Sequence, residues 1–416
     1  MHSHTDIARS CQQASAKLLR YCRSEAWLGY DPYDALNSAI ARALPVRQKI
    51  PRTILTQLVK RSPVNLRPLL GIKKGLNPKG LALAARAIIL LAERDGHALP
   101  ADLLEEPHSH SNALDSTRDS FDTDLRFLIN KLDAMRSEGY AEACWGYNFD
   151  WQSRAFFAPR GTPNVVCTAF AAQAFLDWHE RSGSERALAH AISSCGFLLD
   201  RINRTEEGGG HCFSYTPLDH SRVHNVNMLA AELLARAFRK GGDALHRDAA
   251  VRAVRFTVSK QRGDGSWPYG ESNSQAWIDG FHTGFVLVSL KQVMDHLGTK
   301  EWLDSLKAGY EFYAGRFFLA DGTPRYYHNK LYPIDVHSAA QAVITFAEMT
   351  DLIPNADEMA SRAVKWAIDN LQDRAGYFYF QRHRFYTVKI PYMRWAQAWM
   401  LYAFSLYLSK TRGGNV

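Results

Sequence analysis

The sequence predicts an all-α protein, a closed toroid of six or seven helical hairpins, from three observations. From about residue 120 onward, an amphipathic helical segment, a loop rich in Gly and aromatic residues, and a more apolar helical segment follow one another repeatedly. The polar residues that open the second helices stand 54 to 61 positions apart. The alternation of apolar and polar residues that is typical of strands is brief and confined to loops such as 377–380.

The recurring polar positions define the units of the array. A period in this range with two helices per unit is typical of stacked hairpins, none of which can bury its second helix alone. The second helices are apolar nearly all round, which favours an inner ring covered by amphipathic outer helices over an open solenoid. A closed ring would bring the first turns of all inner helices to one mouth. The positions that open them are Asn164, Asn225, Asp279, Asp335 and Arg394.

Two further hairpins are predicted upstream, with second helices near 34–44 and 78–93. We therefore divide the chain into N-terminal helical hairpins over 1–96, a largely polar linker over 97–120, and the main toroid repeats over 121–416. The length allows one large domain or several smaller ones, and the continuous repeat favours one domain that includes 1–96.

The composition of the chain excludes several classes of protein. With 27 Gly and 16 Pro in 416 residues, the chain is neither collagen-like nor of low complexity. No apolar run reaches the roughly 18–20 residues of a membrane span. The first 30 residues contain four basic residues and no apolar core, so a secretory signal is not predicted and we expect a cytoplasmic protein. Six cysteines without a C-x-x-C pair predict isolated buried thiols.

Charge is concentrated in one segment. Lys and Arg total 50 and Asp and Glu total 42, a net charge of +8. Between Asp34 and Glu93 there are eleven basic residues, from Arg42 to Arg86, and no acidic one, so the rest of the chain carries 8 − 11 = −3. This Arg42–Arg86 basic segment predicts either a solvated basic face or contact with an anionic partner: a membrane surface, a diphosphate or a polyanionic glycan. No nucleic-acid-binding motif accompanies it.

One loop carries a recognisable motif. The stretch RAVRFTVSKQRGDGSWPYG, with Gln261 and Trp267, resembles the QW repeat of squalene-hopene-type terpenoid cyclases. The following WIDGFHTGFVLVSL is similar to the inner helix of protein prenyltransferase β-subunits, in which an Asp and a Cys bind zinc. Asp279 matches that Asp, but Phe281 stands in place of the Cys, and the cyclase motifs D-x-D-D and D-D-x-x-D are missing. The resemblance therefore implies the architecture more than the chemistry.

A second resemblance concerns the gene clusters in which similar proteins are found. The segments WLGYDPYDALNS and WGYNFDWQSRAFFAPRGTPNV are similar to proteins of bacterial exopolysaccharide and capsule clusters. The toroid is also the scaffold of N-acyl-glucosamine epimerases, unsaturated glucuronyl hydrolases and polysaccharide lyases. These resemblances imply a carbohydrate substrate, and the residues at the mouth must decide the chemistry.

The residues expected at the mouth are polar, aromatic and titratable, a set typical of sugar sites. Asp279 and His282 share one helical face, and Asp335 and His337 open the next inner helix. Paired carboxylates would serve a hydrolase, and imidazole or phenol groups would serve an epimerase or lyase. Each Asp could equally be a helix cap. The predicted catalytic residues are Asp279, His282, Asp335, His337 and Tyr327, and the predicted substrate-binding residues are Trp151, Arg154, Asn164, His224, Asn227, Trp267, Tyr269, Arg394 and Trp395.

No cofactor is predicted, because nucleotide-binding and nucleophile-elbow motifs are missing. A zinc site among His211, His220 and His224 lacks an obvious fourth ligand, so none is assigned.

We expect a carbohydrate-active lyase, epimerase or hydrolase acting on an acidic or lipid-linked glycan, peripheral to the inner membrane if the basic segment meets lipid. The alternatives are an enzyme acting on an isoprenoid diphosphate, which the basic segment would grip, and a non-catalytic scaffold that binds a glycan or a protein.

Overall fold

The computed structural model describes residues 4–38, 41, 48–100, 103 and 118–412. The helices in these residues are α1 (His4–Ser24), α2 (Lys49–Arg61), α3 (Pro78–Arg94), α4 (Arg118–Ala134), α5 (Val165–Ser182), α6 (Glu185–Asp200), α7 (His224–Arg239), α8 (Ala244–Ser259), α9 (Gly280–Leu297), α10 (Leu303–Phe317), α11 (Val336–Glu348), α12 (Ala356–Leu371) and α13 (Ala398–Arg412), with a π-helical turn over Met393–Gln397.

The described helices form two concentric rings. The inner ring is α3, α5, α7, α9, α11 and α13, in which each helix packs against the next and α13 returns to pack against α3. The outer helices α4, α6, α8, α10 and α12 each pack on an inner neighbour, and α1 fills the sixth outer position against α12 and α13. The predicted closed toroid of helical hairpins is therefore confirmed, with six hairpins.

The two ends of the toroid differ. Each connection from an outer helix to the next inner helix is long, such as 201–223. The returns from inner to outer helices are short, such as 183–184, except for the connection over 95–117 between α3 and α4. All inner helices consequently begin at one end, which we call the mouth, and finish at the other, which we call the short-loop end.

Local sequence signals set the ends of these helices. Asn77 accepts hydrogen bonds from the backbone of Lys79 and Gly80, and Pro78 occupies the first turn of α3. At the short-loop end, Gly183 and Gly298 end α5 and α9 with φ of 73° and 63°, the left-handed conformation that glycine adopts without a steric penalty.

The inner helices are buried on nearly every face, as their composition predicts. Every residue of α11 is buried, and so are the side chains of Trp145, Trp178, Trp267 and Trp399. The six cysteines are free and buried, which confirms the expectation of isolated thiols.

Two glutamines join neighbouring outer helices through hydrogen bonds. The side-chain amide of Gln261 donates to the carbonyls of Gly265, 3.0 Å away, and Ser305, 2.9 Å away at the start of α10. Gln372 repeats the arrangement, donating to the carbonyls of Gly376 and of Ala14 in α1, each at 3.0 Å. The Gln261 bonds of the QW-like loop and the Gln372 bonds thus join neighbouring outer helices in the same way.

The strands are short hairpins in the long loops: β1 (Trp151–Gln152) with β2 (Phe157–Ala158), β3 (Arg204–Glu207) with β4 (Gly210–Phe213), and β5 (Ile334–Asp335), β6 (Gln381–Arg382) and β7 (Thr387–Val388) in one sheet. Gly208 and Gly209 make the turn between β3 and β4, both at positive φ.

Some predictions fall partly on residues that the structure does not describe. The helix expected near 34–44 does not form over its first residues, where a single 3-10 turn, Asp34–Asn37, ends at Ser38 in a non-helical conformation. Residues 39, 40 and 42–47 lie outside the described residues. Most of the predicted linker 97–120 also lies outside them. None of the helices in the described ranges has both the length and the apolar character needed to cross a bilayer.

Candidate active site at the mouth

The first cluster at the mouth is built around Asp279, the N-cap of α9. Its Oδ1 accepts the backbone N–H of His282 at 2.9 Å, and its Oδ2 lies 2.7 Å from His282 Nδ1 and accepts the indole N–H of Trp277 at 2.8 Å. Asp279 is buried, whereas the His282 side chain is 21% exposed. An imidazole that donates from Nδ1 to a carboxylate is fixed in orientation and presents Nε2 as an acceptor. In that tautomer, Nε2 of His282 can accept a proton at the partly exposed rim.

Aromatic side chains surround this pair. The Tyr269 and Trp277 rings are stacked at 4.5 Å, and Tyr269 also lies 4.4 Å from the His282 ring. The guanidinium of Arg154 sits 4.4 Å from the centre of the Trp277 ring. Such a platform with a nearby cation suits the apolar face of a sugar ring that bears a carboxylate.

Tyr327 lies beside Asp279, because the two residues form an isolated antiparallel bridge. Burial and the charge of Asp279 raise the pKa of the Tyr327 phenol. At neutral pH this half-buried side chain is consequently a proton donor.

A second cluster surrounds Asp335, the N-cap of α11. Its carboxylate accepts the backbone N–H of His337 at 2.8 Å, the amide of Gln381 at 2.6 Å and the indole N–H of Trp395 at 2.9 Å. Burial raises the pKa of Asp335, and these donors act in the opposite direction. The carboxylate is fully engaged and holds Trp395 in place.

His337 is buried in an aromatic cage. Its ring lies 4.5 Å from Trp395, 4.6 Å from Trp399 and 4.7 Å from Phe281, and neither ring nitrogen has a partner among the described residues. Burial, with the charges of Lys79 and Arg394, holds the pKa of His337 well below its usual value. His337 is therefore a neutral imidazole on the toroid axis.

The charged centre of the mouth joins the predicted residue Arg394 to Asp31 and Lys79, which were not among the predicted site residues. Arg394 makes a bidentate ion pair with Asp31, at 2.5 and 2.8 Å. Lys79 is buried with its ammonium 4.6, 4.8 and 5.3 Å from the ring centres of Phe170, Trp399 and Phe285. Burial and Arg394 lower the pKa of Lys79 to about 7. The sequence placed Lys79 within the basic segment, although its position in the first turn of an apolar inner helix could have identified it.

Four predicted binding residues have structural partners. Asn164 caps α5, and the amide of Asn227 bonds the backbone of Phe213 and Ala253 and the Thr257 hydroxyl. The Trp267 indole donates to the Thr257 carbonyl at 2.9 Å. His224 pairs with Glu271 at 2.8 Å. Trp151, half-buried, packs on Tyr215 and Phe156.

The mouth is covered in this structure. Helix α2 lies over it, where the Lys60 ammonium meets the Tyr33 hydroxyl at 2.6 Å and the Tyr33 ring meets the edge of Trp395 at 5.7 Å. Two cavities at this end, beside Arg394 and beside His282, have a volume of about 10 Å³ each, room for one water molecule. Access to the axis therefore requires displacement of α2.

The histidines weighed as zinc ligands have separate surroundings. His211 is buried against Phe213, His224 is paired with Glu271, and His220 is exposed. Within the described ranges, no group of three or more His, Cys, Asp or Glu residues is arranged to hold a metal ion.

No protein-family model and no curated protein sequence matches this chain. Solved structures do match its fold. Cellobiose 2-epimerase from Bacillus thermoamylovorans aligns with a TM-score of 0.61 at 11% identity, over 81% of this chain and 88% of its own. An unsaturated glucuronyl hydrolase specific for heparin aligns with a TM-score of 0.61 at 12% identity, over 98% of each chain. A GH76 α-mannanase of Bacteroides thetaiotaomicron aligns with a TM-score of 0.56 at 12% identity, over 81% and 87%. At these identities the likeness defines the fold class, an α/α toroid.

Proposed function

We propose that this protein is a carbohydrate-active enzyme that carries out cofactor-free acid/base chemistry on a glycan at the mouth. The observation that carries the proposal is the Asp279–His282 pair on the rim, next to the stacked Tyr269–Trp277 platform. The similar folds include an epimerase, a mannanase and a glucuronyl hydrolase, which agrees with a sugar substrate.

His282 acts as the base. With Nδ1 held by Asp279, its Nε2 removes a proton from the carbon next to the substrate carboxylate or carbonyl. The C–H electron pair moves into an enolate, and Arg154 neutralises the charge that develops on the substrate oxygens. Tyr327, kept protonated, gives a proton to the opposite ring face or to a departing oxygen.

The geometry favours an epimerase or a lyase over a hydrolase. A glycosidase needs two carboxyl groups that face the scissile bond. Asp279 is buried and engaged with His282 and Trp277, and Asp335 is engaged with three donors. Proton transfer at carbon by imidazole and phenol needs neither carboxylate to reach the sugar.

Deuterium incorporation tests the proposal. The protein would be incubated in D₂O with uronic-acid oligosaccharides and with neutral disaccharides, and the products examined by NMR. We expect solvent deuterium at the carbon that loses its proton if the enzyme is an epimerase, and an unsaturated product without hydrogen at that carbon if it is a lyase. In either case His282→Gln should lose about 100-fold or more in rate. His190 is a matched control, since it also pairs with an aspartate, Asp133, at 2.8 Å, on the outer ring. Wild-type turnover by His282→Gln would exclude this base, and a chain that binds glycans without turnover would favour the scaffold alternative.

We also propose that the glycan is lipid-linked and that α2 meets an anionic membrane surface. Ile50, Ile54 and Leu58 follow one another at four-residue spacing and are 71%, 53% and 63% exposed. Val64 and Leu69, just beyond the helix, are exposed as well. An apolar stripe of this length on a helix that covers the mouth is typical of interfacial helices.

The charge of α2 supports an anionic membrane as the partner of that surface. Helix α2 contains four basic residues and no acidic residue, and Lys49 and Arg61 at its two ends are exposed. An apolar stripe flanked by cations complements a bilayer with anionic headgroups, and each basic residue near such a surface contributes about 1 kcal/mol.

Vesicle co-sedimentation tests this contact. We expect binding to phosphatidylcholine vesicles that contain phosphatidylglycerol, weaker binding to phosphatidylcholine alone, and weakening by salt. The double variant Ile54→Ser and Leu58→Ser should lose binding, whereas Leu245→Ser, a change at an equally exposed leucine of α8, should retain it. Equal binding by both variants would exclude α2 as the contact.

The isoprenoid-diphosphate alternative depended on the QW-like loop. Gln261 and Gln372 make the same pair of hydrogen bonds in different hairpins, so the motif has a structural use that does not require a terpenoid substrate. Polyprenyl diphosphates belong in the same substrate panel, and turnover of these alone would reverse the order of the two proposals.

A further inference from the structure

A large cavity opens at the short-loop end, opposite the mouth. Its volume is about 780 Å³, within the range of ligand-binding pockets. Side chains from all six inner helices line it, among them Arg86, Gln173, Glu232, Ser289, Gln341 and Tyr402. It is separate from the catalytic cluster, because Asp279, His282 and His337 do not line it.

An aromatic floor closes the cavity toward the mouth. Phe170, Phe285 and Trp399 line it, and the same three rings surround the Lys79 ammonium. The Phe170 and Phe285 rings each meet Trp399 edge-on, with 5.3 Å between ring centres. Rings at the base of a polar pocket are suited to pack against the C–H face of a sugar.

Above this floor the wall is a chain of hydrogen bonds. Glu232 Oε1 accepts from the Gln173 amide at 3.0 Å, and its Oε2 accepts from the Ser289 hydroxyl at 2.7 Å. Burial raises the pKa of Glu232, and the Ser289 hydrogen bond acts in the opposite direction. Buried polar side chains cost free energy in a helical core unless they are paired or have a function.

Most of the charged side chains in the wall are in ion pairs. Asp177 pairs with Arg86 at 2.6 Å and with Arg236 at 2.7 Å. Glu348 pairs with Lys410 at 3.4 Å. Among the described residues, the lining has seven basic and five acidic side chains, and five of the basic ones are in ion pairs, so the positive excess is small. The many paired polar groups suit hydrogen bonds to the hydroxyl groups of a ligand.

We propose that the cavity at the short-loop end is a binding site for a neutral, hydroxyl-rich ligand, a sugar or short oligosaccharide, that stacks on Phe170, Phe285 and Trp399 and hydrogen-bonds to Glu232. This site is independent of the chemistry proposed for His282.

Isothermal titration calorimetry tests this site, with gluco- and manno-configured mono- to trisaccharides as probes. We expect saturable binding that Val288→Trp abolishes, because Val288 lines the cavity, is only half-buried, and can carry a larger side chain that fills it. Glu232→Ala should weaken binding about tenfold, through loss of a buried hydrogen-bonding partner. Thermal unfolding of each variant separates lost binding from lost folding.

Leu245→Ser provides the control, since it changes an exposed position of the outer helix α8, outside both sites, and should bind the same sugars as the wild type. Binding that persists in Val288→Trp but is lost in His282→Gln would assign the sugar to the mouth and overturn the proposal. Failure of every probe to bind the wild-type protein would overturn it as well. Neither result depends on turnover, so the failure of this site and of the proposed reaction are distinguishable.

Discussion

Arg394 and Asp31 form a buried bidentate ion pair across 363 positions of the sequence. The pair joins the segment that follows α1 to the turn that precedes α13, on the axis of the toroid. Arg67 extends the network, donating to the Asp31 carbonyl at 2.6 Å and to Asp34 at 2.7 Å. The centre of the mouth is therefore assembled from the two ends of the chain.

Removal of one partner should destabilise the fold strongly. Both side chains are nearly inaccessible, so Asp31→Asn leaves an uncompensated guanidinium and should lower the free energy of unfolding by about 3–5 kcal/mol. Urea denaturation measures this. Glu358→Gln, which removes the exposed partner of Arg362, should cost less than about 1 kcal/mol. Similar losses in the two variants would show that burial adds nothing to the Asp31–Arg394 pair.

The Asp279 carboxylate should matter for turnover more than for stability. Asn caps helices about as well as Asp, so Asp279→Asn should change the free energy of unfolding by about 1 kcal/mol or less. It replaces the group that holds His282 Nδ1, and kcat should fall by about tenfold or more. Steady-state kinetics and thermal unfolding of the same preparations test both parts. An unchanged kcat would separate Asp279 from the reaction.

The buried Lys79 should make stability depend on pH. Its pKa is lowered to about 7 in the folded protein, whereas the unfolded chain has the usual value near 10.4. Between these values the unfolded state binds more protons, so this group's contribution to stability rises with pH. We expect Lys79→Met to be more stable than the wild type at pH 6, and this advantage to shrink by pH 9. A difference that does not change with pH would mean that the aromatic cage keeps Lys79 charged.

The hydrogen bonds of Gln261 and Gln372 should make similar contributions to the free energy of unfolding. Gln261→Ala and Gln372→Ala each remove one amide hydrogen bond to the next outer helix and one to the local loop, and Gln261→Ala also removes the bond that the Ser305 hydroxyl donates. Each change should cost about 1–3 kcal/mol. Gln12→Ala, at an exposed position of α1, should have almost no effect. Denaturant unfolding compares the three variants. A loss of activity at Gln261 without a loss of stability would contradict a purely structural role.

The ring and the direction of its helices could be predicted, because both follow from local patterns. Apolar residues all round a helix predict an inner position, and the polar positions at Asp279 and Asp335 predict where such helices begin, as their capping bonds now show. The same residue types are used as caps and as catalytic groups, so spacing alone could not separate Asn164, a cap, from His282, which is partly exposed.

What could not be predicted depends on packing between distant segments. The cover that α2 places on the mouth follows from contacts such as Lys60 with Tyr33, which no local pattern encodes. The cavity at the short-loop end depends on how far the later turns of six helices diverge. In the sequence, Arg236 and Glu232 are indistinguishable from the exposed polar residues of an amphipathic helix. In the closed ring both side chains are buried inside it.

The position of α1 has a consequence for how the chain could be rearranged. Because α1 packs against α12 and α13, it occupies the place where a short return from α13 would lead in an unbroken ring. Residues 412 and 4 thus belong to two helices that pack against each other. A linker from residue 412 to residue 4, with new ends cut at Gly183–Ser184, should give a circular permutant that keeps every packed pair of helices. The order of the hairpins along the sequence therefore does not reflect a difference in how they pack.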